Sequence, residues 1–187
     1  MGEFRIEGYV IVSADGMLAD ARHIMPDSLK FESDKKFFEA ALNEADLIVH
    51  GRHSHEDQIN SSRRKRLILT RQIKGLASDP HTPKASLWNP STASFKEACD
   101  FAGVSGGTVA IIGGPAVFET FMERYDTFWL SEARHVHLPG GEGCFPGVPE
   151  RTPHQILSAH GLKPGQPHVL DFARDVTVTP WRRIAEA

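Results

Sequence analysis

Short apolar runs and amphipathic stretches alternate along most of the chain. Apolar runs bounded by turn residues predict eight strands, over residues 7–12, 47–49, 66–70, 86–88, 108–112, 127–130, 168–172 and 176–181. Apolar positions at helical spacing predict helices over 34–43 after an N-cap at Ser33, from Ser94 through Ala102, and over 115–124. A further helix start is predicted after residue 54. The Gly- and Pro-rich segment 139–153 is predicted to be a loop.

This alternation is typical of an α/β domain. It predicts a central, mainly parallel sheet with helices on both faces and antiparallel strands at the C-terminal edge. Ligands of such sheets bind beyond the carboxyl ends of the strands. The chain has 187 residues, so we expect one domain that spans residues 1–187.

The composition narrows the class of protein. Hydrophobic residues make up 40% of the chain, charged residues make up 24%, and the net charge is −3. This balance favours a globular protein without a nucleic-acid or membrane partner. The basic cluster at residues 63–66 is interpreted as a solvent-exposed segment at the start of a strand. No N-terminal stretch is apolar enough for a signal peptide, and Cys99 and Cys144 lack a Cys-x-x-Cys partner, so we expect a soluble, cytoplasmic protein.

The segment 109–119, Val-Ala-Ile-Ile-Gly-Gly-Pro-Ala-Val-Phe-Glu, is the strongest local motif. A buried strand is followed by Gly113 and Gly114, and then by Pro115 at a favoured first helical position. Such a turn directs backbone N–H groups and the positive end of a helix dipole at one spot, which suits a phosphate. The motif also fits an ordinary strand-to-helix turn that needs glycine for clearance. Both interpretations stay open on the motif alone.

Four segments follow one another in order: Ser-Ala-Asp-Gly-Met-Leu-Ala at 13–19, Gly-Arg-His-Ser-His-Glu at 51–56, Ile-Gly-Gly-Pro-Ala-Val-Phe-Glu at 112–119, and Gly-Glu-Gly-Cys-Phe-Pro at 141–146. Together they resemble the dihydrofolate reductase superfamily, which includes the pyrimidine reductases of riboflavin biosynthesis. The first segment resembles the start of the family's mobile active-site loop. The second and third resemble the segments that bind the adenosine phosphates and the pyrophosphate of NADPH. The resemblance therefore implies a dihydrofolate reductase-like fold with NADPH as the cofactor.

The resemblance also implies which residues contact the cofactor, and it implies a cis peptide between Gly113 and Gly114. Arg52 and Arg71 suit the 2′-phosphate, because a guanidinium binds phosphate bidentately and stays charged. Each of them also fits a solvated surface arginine. Phe118 is most simply a core residue and is also expected against the nicotinamide. The complete expected set is Ala14, Leu18, Gly51, Arg52, His53, Ser54, Leu69, Thr70, Arg71, Gly113, Gly114, Pro115, Ala116, Val117 and Phe118.

Asp34, or Glu32 just before it, is the expected polar anchor of the substrate, with Ser131 as a second hydrogen-bonding group. The implied reaction is hydride transfer to a C=N bond of a pterin or a ribosylaminopyrimidine. Segments 42–49 and 138–143 resemble the riboflavin-type reductases more closely. However, the tryptophan expected after Met25-Pro26 and the Thr-Val-x-x-Asp-x-Pro continuation expected after Gly51 are absent. The substrate stays open, and a non-catalytic nucleotide- or pterin-binding protein is the alternative.

Three further features have weaker implications. Arg64 falls near the position of the arginine that grips the folate glutamate tail in the family. The pairs His53/His55 and His135/His137 have a spacing that suits metal ligands, but no carboxylate or cysteine spacing completes a site, so we expect no metal. The expected partners are a small-molecule substrate and a second copy of the chain in a homodimer.

Overall fold

The computed structural model describes residues 2–54 and 60–185. Its strands are β1 (Phe4–Ser13), β2 (Met17–Ala19), β3 (Leu47–Gly51), β4 (Arg66–Leu69), β5 (Leu76–Ser78), β6 (Ala85–Trp88), β7 (Gly107–Ile111), β8 (Thr127–Ala133), β9 (Glu142–Gly143), β10 (Leu162–Pro164), β11 (His168–Asp171) and β12 (Val176–Arg183). Its α-helices are α1 (Glu32–Glu44), α2 (Phe95–Phe101), α3 (Pro115–Thr120) and α4 (Pro153–Ala159). Single 3₁₀ turns cover Asp27–Leu29 and Ser61–Arg63.

Ten of the described strands form one sheet, in the order β10-β12-β8-β1-β7-β3-β4-β6-β5, with β11 beside β12. The six strands from β8 to β6 in this order run parallel to one another. β12 is antiparallel to β8, β10 and β11, and β5 is antiparallel to β6. The predicted mainly parallel α/β sheet with antiparallel C-terminal strands is confirmed. The sequence pattern does not predict the second antiparallel edge at β5.

Helices cover both faces of the sheet, as the alternation of side chains along β8 shows. Phe128 and Leu130 belong to the larger core cluster, which includes Phe95 of α2, Phe118 of α3 and Leu157 of α4. Trp129 lies on the opposite face with the apolar side chains of α1, namely Phe37, Phe38, Ala41 and Leu42. Because adjacent residues of a strand point to opposite faces, one strand supplies both layers of the core.

Two predicted helices have different ends from those expected. α1 begins at Glu32 rather than at residue 34, and its N-cap is Phe31, which makes no side-chain cap hydrogen bond. Ser33, the predicted cap, lies inside the helix, and its buried hydroxyl has no hydrogen-bond partner among the described residues. α3 ends at Thr120, four residues earlier than predicted. The helix start predicted after residue 54 falls mostly on residues 55–59, outside the described ranges.

The basic cluster at 63–66 was expected to be exposed to solvent at the start of a strand, and this is wrong for two of its four residues. Arg64 and Arg66 are buried, with 8% and 6% of their surface exposed. Arg64 Nη2 donates a hydrogen bond of 2.6 Å to Asn43 Oδ1 of α1, and Arg66 Nε donates one of 3.2 Å to the carbonyl of Ser61. Both guanidinium groups therefore contribute to packing at the amino-terminal edge of β4. The position of Arg64 does not suit a grip on a substrate tail.

No helix among the described residues is both long enough and apolar enough to cross a membrane.

Candidate functional site

The carboxyl ends of the parallel strands bring most of the predicted site residues to one edge of the sheet. β1 ends at Ser13, β3 at Gly51, β4 at Leu69 and β7 at Ile111, and β8 runs in the same direction beside β1. The segments 14–18, 51–54, 69–71 and 113–118 follow these ends directly. All of the residues expected to bind the cofactor therefore lie along this carboxyl edge.

The backbone conformation and the close packing of the Gly-Gly turn both favour glycine. The Gly113–Gly114 peptide is cis, as expected, and Gly113 has a φ of +119°, a conformation that favours glycine. The N–H of Gly51 donates a 2.8 Å hydrogen bond to the carbonyl of Gly113, which joins the ends of β3 and β7. A Cβ on Gly51 would lie 3.3 Å from Val117 Cγ2. A Cβ on Gly113 would lie 3.3 Å from the ring of Phe118, and a Cβ on Gly114 would lie 3.5 Å from Ser54 Oγ, so this turn leaves little room for a side chain.

α3 starts directly at this turn. The carbonyl of Gly114 accepts hydrogen bonds of 3.0 Å from the N–H groups of both Val117 and Phe118. Pro115 is the first helical residue, where its lack of an N–H is harmless. Ala116 is exposed and Pro115 is half-buried, so the first turn of the helix is accessible to solvent.

Two arginines, Arg52 and Arg71, follow the carboxyl ends of β3 and β4. Arg52, His53 and Arg71 are exposed, and Ser54 and Leu69 are half-buried. Thr70 is buried, and its Oγ1 accepts a 3.1 Å hydrogen bond from the N–H of Gln72. Two exposed guanidinium groups at the ends of adjacent strands can bind an anionic group bidentately.

Asp34 is the carboxyl group whose ionisation is most clearly perturbed at this edge. It lies in the first turn of α1 and is half-buried, and burial raises its pKa from 3.8 to about 6. The hydroxyl of Ser131, a buried residue of β8, hydrogen-bonds the carboxyl and opposes part of that increase in the pKa. A carboxyl group with a pKa near 6 exchanges its proton close to neutral pH. Asp34 and Ser131 therefore contact each other, whereas Glu32 is exposed.

Two loops that leave β1 and β8 are joined above the same edge. β2 pairs with β9 in a separate two-stranded antiparallel sheet, and the N–H of Cys144 donates a 3.1 Å hydrogen bond to the carbonyl of Gly16. Asp15 accepts the N–H of Leu138 with both carboxylate oxygens, at 3.0 and 3.1 Å. Leu18, on β2, is half-buried against the main core. The first and fourth sequence segments that carry the family resemblance therefore contact each other directly.

Hydrogen bonds lower the pKa of Asp15, which lies between these two loops. Partial burial acts to raise the pKa of its carboxyl, but the hydrogen bonds from the Ser13 hydroxyl and the Leu138 N–H outweigh burial, so the pKa is lowered. The Ser13 hydroxyl in turn accepts the N–H of Met17 at 3.0 Å. Sequence analysis did not single out Asp15, although Asp-Gly at a strand end is a turn signal that draws attention to it.

Phe118 and Cys144 are buried core residues. The ring of Phe118 is fully buried and packs against the rings of Phe128 and Phe145 at centroid distances of 5.4 and 6.0 Å. Burial raises the pKa of the Cys144 thiol far above its ordinary range, which leaves it protonated and a weak nucleophile. Cys99 and Cys144 are both free.

The histidine pairs are not completed into metal sites within residues 2–54 and 60–185, where no group of three or more His, Cys, Asp or Glu side chains converges. His55 lies outside these residues. His135 instead approaches Asp175, with Nε2 3.7 Å from the carboxylate.

The mainly parallel sheet with antiparallel C-terminal strands is a dihydrofolate reductase-like α/β fold. No protein-family model matches the chain, and no curated protein matches it. Solved structures do match. Dihydrofolate reductase from Enterococcus faecalis, complexed with NADP(H) and RAB-propyl, has a TM-score of 0.62 and 16% identity over 96% of each chain.

Two riboflavin-related structures are similar to the same extent. A candidate riboflavin biosynthesis protein from Shewanella sp. PV-4 has a TM-score of 0.65 and 16% identity, over 96% of this chain and 99% of that one. A diaminohydroxyphosphoribosylaminopyrimidine deaminase/5-amino-6-(5-phosphoribosylamino)uracil reductase from Thermotoga maritima has a TM-score of 0.65 and 14% identity. That match covers 97% of this chain and 57% of the Thermotoga protein. At these identities the matches establish the fold.

Proposed function

We propose that this protein is an NADPH-dependent reductase that transfers a hydride to the C=N bond of a pterin or a ribosylaminopyrimidine. The observation that carries the proposal is Asp34, a half-buried carboxyl with a pKa of about 6 that is held against Ser131 at the carboxyl edge. Support also comes from the fold, which is shared with a dihydrofolate reductase complexed with NADP(H) and with a uracil reductase.

The residues at the carboxyl edge fit NADPH. The backbone turn at Gly113 and Gly114, which lies next to the Ser54 hydroxyl, suits the pyrophosphate. Arg52 and Arg71 are exposed beside it and would hold the 2′-phosphate. When bound, NADPH supplies the hydride and its two electrons to the carbon of the C=N bond.

The carboxyl of Asp34 would hold the proton that the reaction also requires. Reduction of C=N to CH–NH needs one hydride at carbon and one proton at nitrogen. The carboxyl of Asp34 is partly protonated near pH 6, so it can hydrogen-bond the heterocycle and hold a proton next to the nitrogen of the C=N bond. Ser131 hydrogen-bonds this carboxyl. Turnover should therefore increase as the pH falls through about 6.

The structure bears differently on the two substrate classes, pterins and ribosylaminopyrimidines, and on the alternative of binding without turnover. The inward position of Arg64, which is bonded to Asn43, leaves this guanidinium unsuited to a folate glutamate tail. It therefore favours the smaller ribosylaminopyrimidine. The absent substrate signatures after Pro26 and Gly51 favour the second candidate, a protein that binds a nucleotide or pterin without turnover. A homodimer in the cytoplasm is part of the proposal.

Oxidation of NADPH, followed at 340 nm, tests the function. The panel comprises dihydropterins, dihydrofolate and ribosylaminopyrimidines, each with the wild type, Asp34→Asn and the exposed neighbour Glu32→Gln. We expect oxidation with one of these classes, a decrease of about 10²-fold or more in Asp34→Asn, and wild-type rates in Glu32→Gln. Cofactor binding without oxidation of any compound would support the non-catalytic function. A rate that Asp34→Asn leaves unchanged would remove Asp34 from the mechanism.

A further inference from the structure

An ion pair lies on the opposite face of β8 from Asp34. Ser131 points towards α1, so the next residue, Glu132, points towards α4. Its Oε1 lies 2.6 Å from Nε2 of His154, the second residue of α4. The His154 ring also lies against Trp181 of β12, at a centroid distance of 5.2 Å. His154 therefore connects the start of α4 to two strands of the sheet.

The start of α4 also contacts the loop that follows β1. Thr152 and Gln155 form a capping box around the first turn, and Pro153 is buried. Gly16 packs directly under Pro153, since a Cβ on Gly16 would lie 3.0 Å from Pro153 Cδ and 3.0 Å from Val148 Cγ1. Gly16 in turn accepts the N–H of Cys144. The position of α4 thus determines how closely the loop pair of β2 and β9 is held over the carboxyl edge.

We propose that His154 is a positioning residue whose protonation holds α4 and the Gly16 loop in place, so that the loop pair over the candidate site loosens as the pH rises. The hydrogen bond between His154 and Glu132 is charge-assisted when the ring carries a proton, and such bonds are about twice as strong as neutral ones. The effect on turnover rests on the proposed function, whereas the effect on the loop pair does not.

The groups around His154 determine the direction of the pH effect. The hydrogen bond to Glu132 raises the pKa of His154, partial burial lowers it, and Arg134 after β8 also lowers it, with a net increase. Cys144, near Glu132, stays protonated because its own pKa is raised, and β12 contributes the uncharged Trp181. A histidine whose pKa is raised on folding contributes stability that is complete below about pH 6.5 and is lost as the pH rises through the folded-state pKa.

Amide hydrogen exchange at Cys144 tests the proposal without reference to activity. The variants are His154→Gln, Glu132→Gln and, as a matched control, His160→Gln, which removes a histidine that pairs with Glu123 at the other end of α4. At pH 6 we expect Cys144 to exchange about tenfold faster in His154→Gln and Glu132→Gln than in the wild type. At pH 8.5 we expect the ratio to approach one, and the control should match the wild type at both values.

The amide of Ile111 in the central strand β7 reports global unfolding and separates a local effect from a general loss of stability. Faster exchange at Cys144 with unchanged exchange at Ile111 supports the proposal. Equal protection of Cys144 in the wild type and both variants at pH 6 would overturn it. So would an increase that is the same at pH 6 and 8.5, or one that Ile111 shares.

Discussion

Asp34→Asn should make the protein more stable at neutral pH while reducing its activity. Burial raises the pKa of Asp34 from 3.8 to about 6, so the folded state disfavours the ionised carboxylate. At about 1.4 kcal/mol for each tenfold change in the dissociation constant, this increase corresponds to about 3 kcal/mol at pH 7. The folded-state pKa already includes the favourable effect of the helix N-terminus on a negative charge. The expected gain on substitution is therefore about 3 kcal/mol.

The sign of the pH dependence follows from the same pKa. The folded state binds the proton of Asp34 more tightly than the unfolded state, so this group favours folding below about pH 4 and opposes it as the pH rises through 6. Asparagine resembles the protonated carboxyl at every pH. The stability difference between variant and wild type should therefore be about 3 kcal/mol at pH 7.5 and should fall below about 1 kcal/mol near pH 4.

Urea unfolding at several pH values, followed by tryptophan fluorescence, measures this difference. Glu32→Gln is the matched control, because Glu32 lies in the same helical turn but is exposed. The control should show no comparable gain. A variant that is less stable than the wild type at pH 7.5, or a difference that does not change between pH 7.5 and 4, would refute the reasoning about the buried carboxyl.

Three further predictions concern other parts of the chain. Arg52→Ala should weaken NADPH binding by about 1.5–3 kcal/mol and NADH binding much less, because only NADPH carries the 2′-phosphate; equal losses in a fluorescence titration would contradict this role. Arg183→Ala should lower the free energy of unfolding by about 2–4 kcal/mol, since the guanidinium bonds three backbone carbonyls, whereas the exposed Arg182→Ala should cost less than about 1 kcal/mol. Ser94→Ala should cost about 1 kcal/mol in thermal or urea unfolding, because it removes the N-cap of α2.

The order of strands and helices follows well from the sequence where the signals are local. Ser94 and Glu97 form the capping box that starts α2, and Pro115 starts α3 as its position predicts. α4 carries an equally clear signal in Thr152, Pro153 and Gln155, but the surrounding glycines and prolines favoured a loop. Ser33 looks like a cap, yet the helix begins before it, because tertiary packing can override a capping preference.

The pattern of hydrophobic and polar residues does not predict very short strands or contacts between residues far apart in sequence. The strands β5 and β10 have three residues each, which is too few for a periodicity to be detected. The burial of Arg64 depends on a contact with Asn43, which is 21 residues away in sequence. At the site, the local strand-glycine-helix motif indicated the Gly-Gly turn, and the family resemblance indicated Asp34 and Ser131. The pair of Glu132 and His154 joins residues 22 positions apart, and no local motif marks it.

A structure determined with NADPH bound tests the central claim most directly. We predict that the pyrophosphate lies against Gly113 and Gly114, that the 2′-phosphate contacts Arg52 and Arg71, and that the nicotinamide faces Asp34 across the carboxyl edge. A cofactor bound elsewhere, or no bound NADPH after soaking and co-crystallisation at millimolar concentration, would contradict the assignment of this edge as the active site of a reductase.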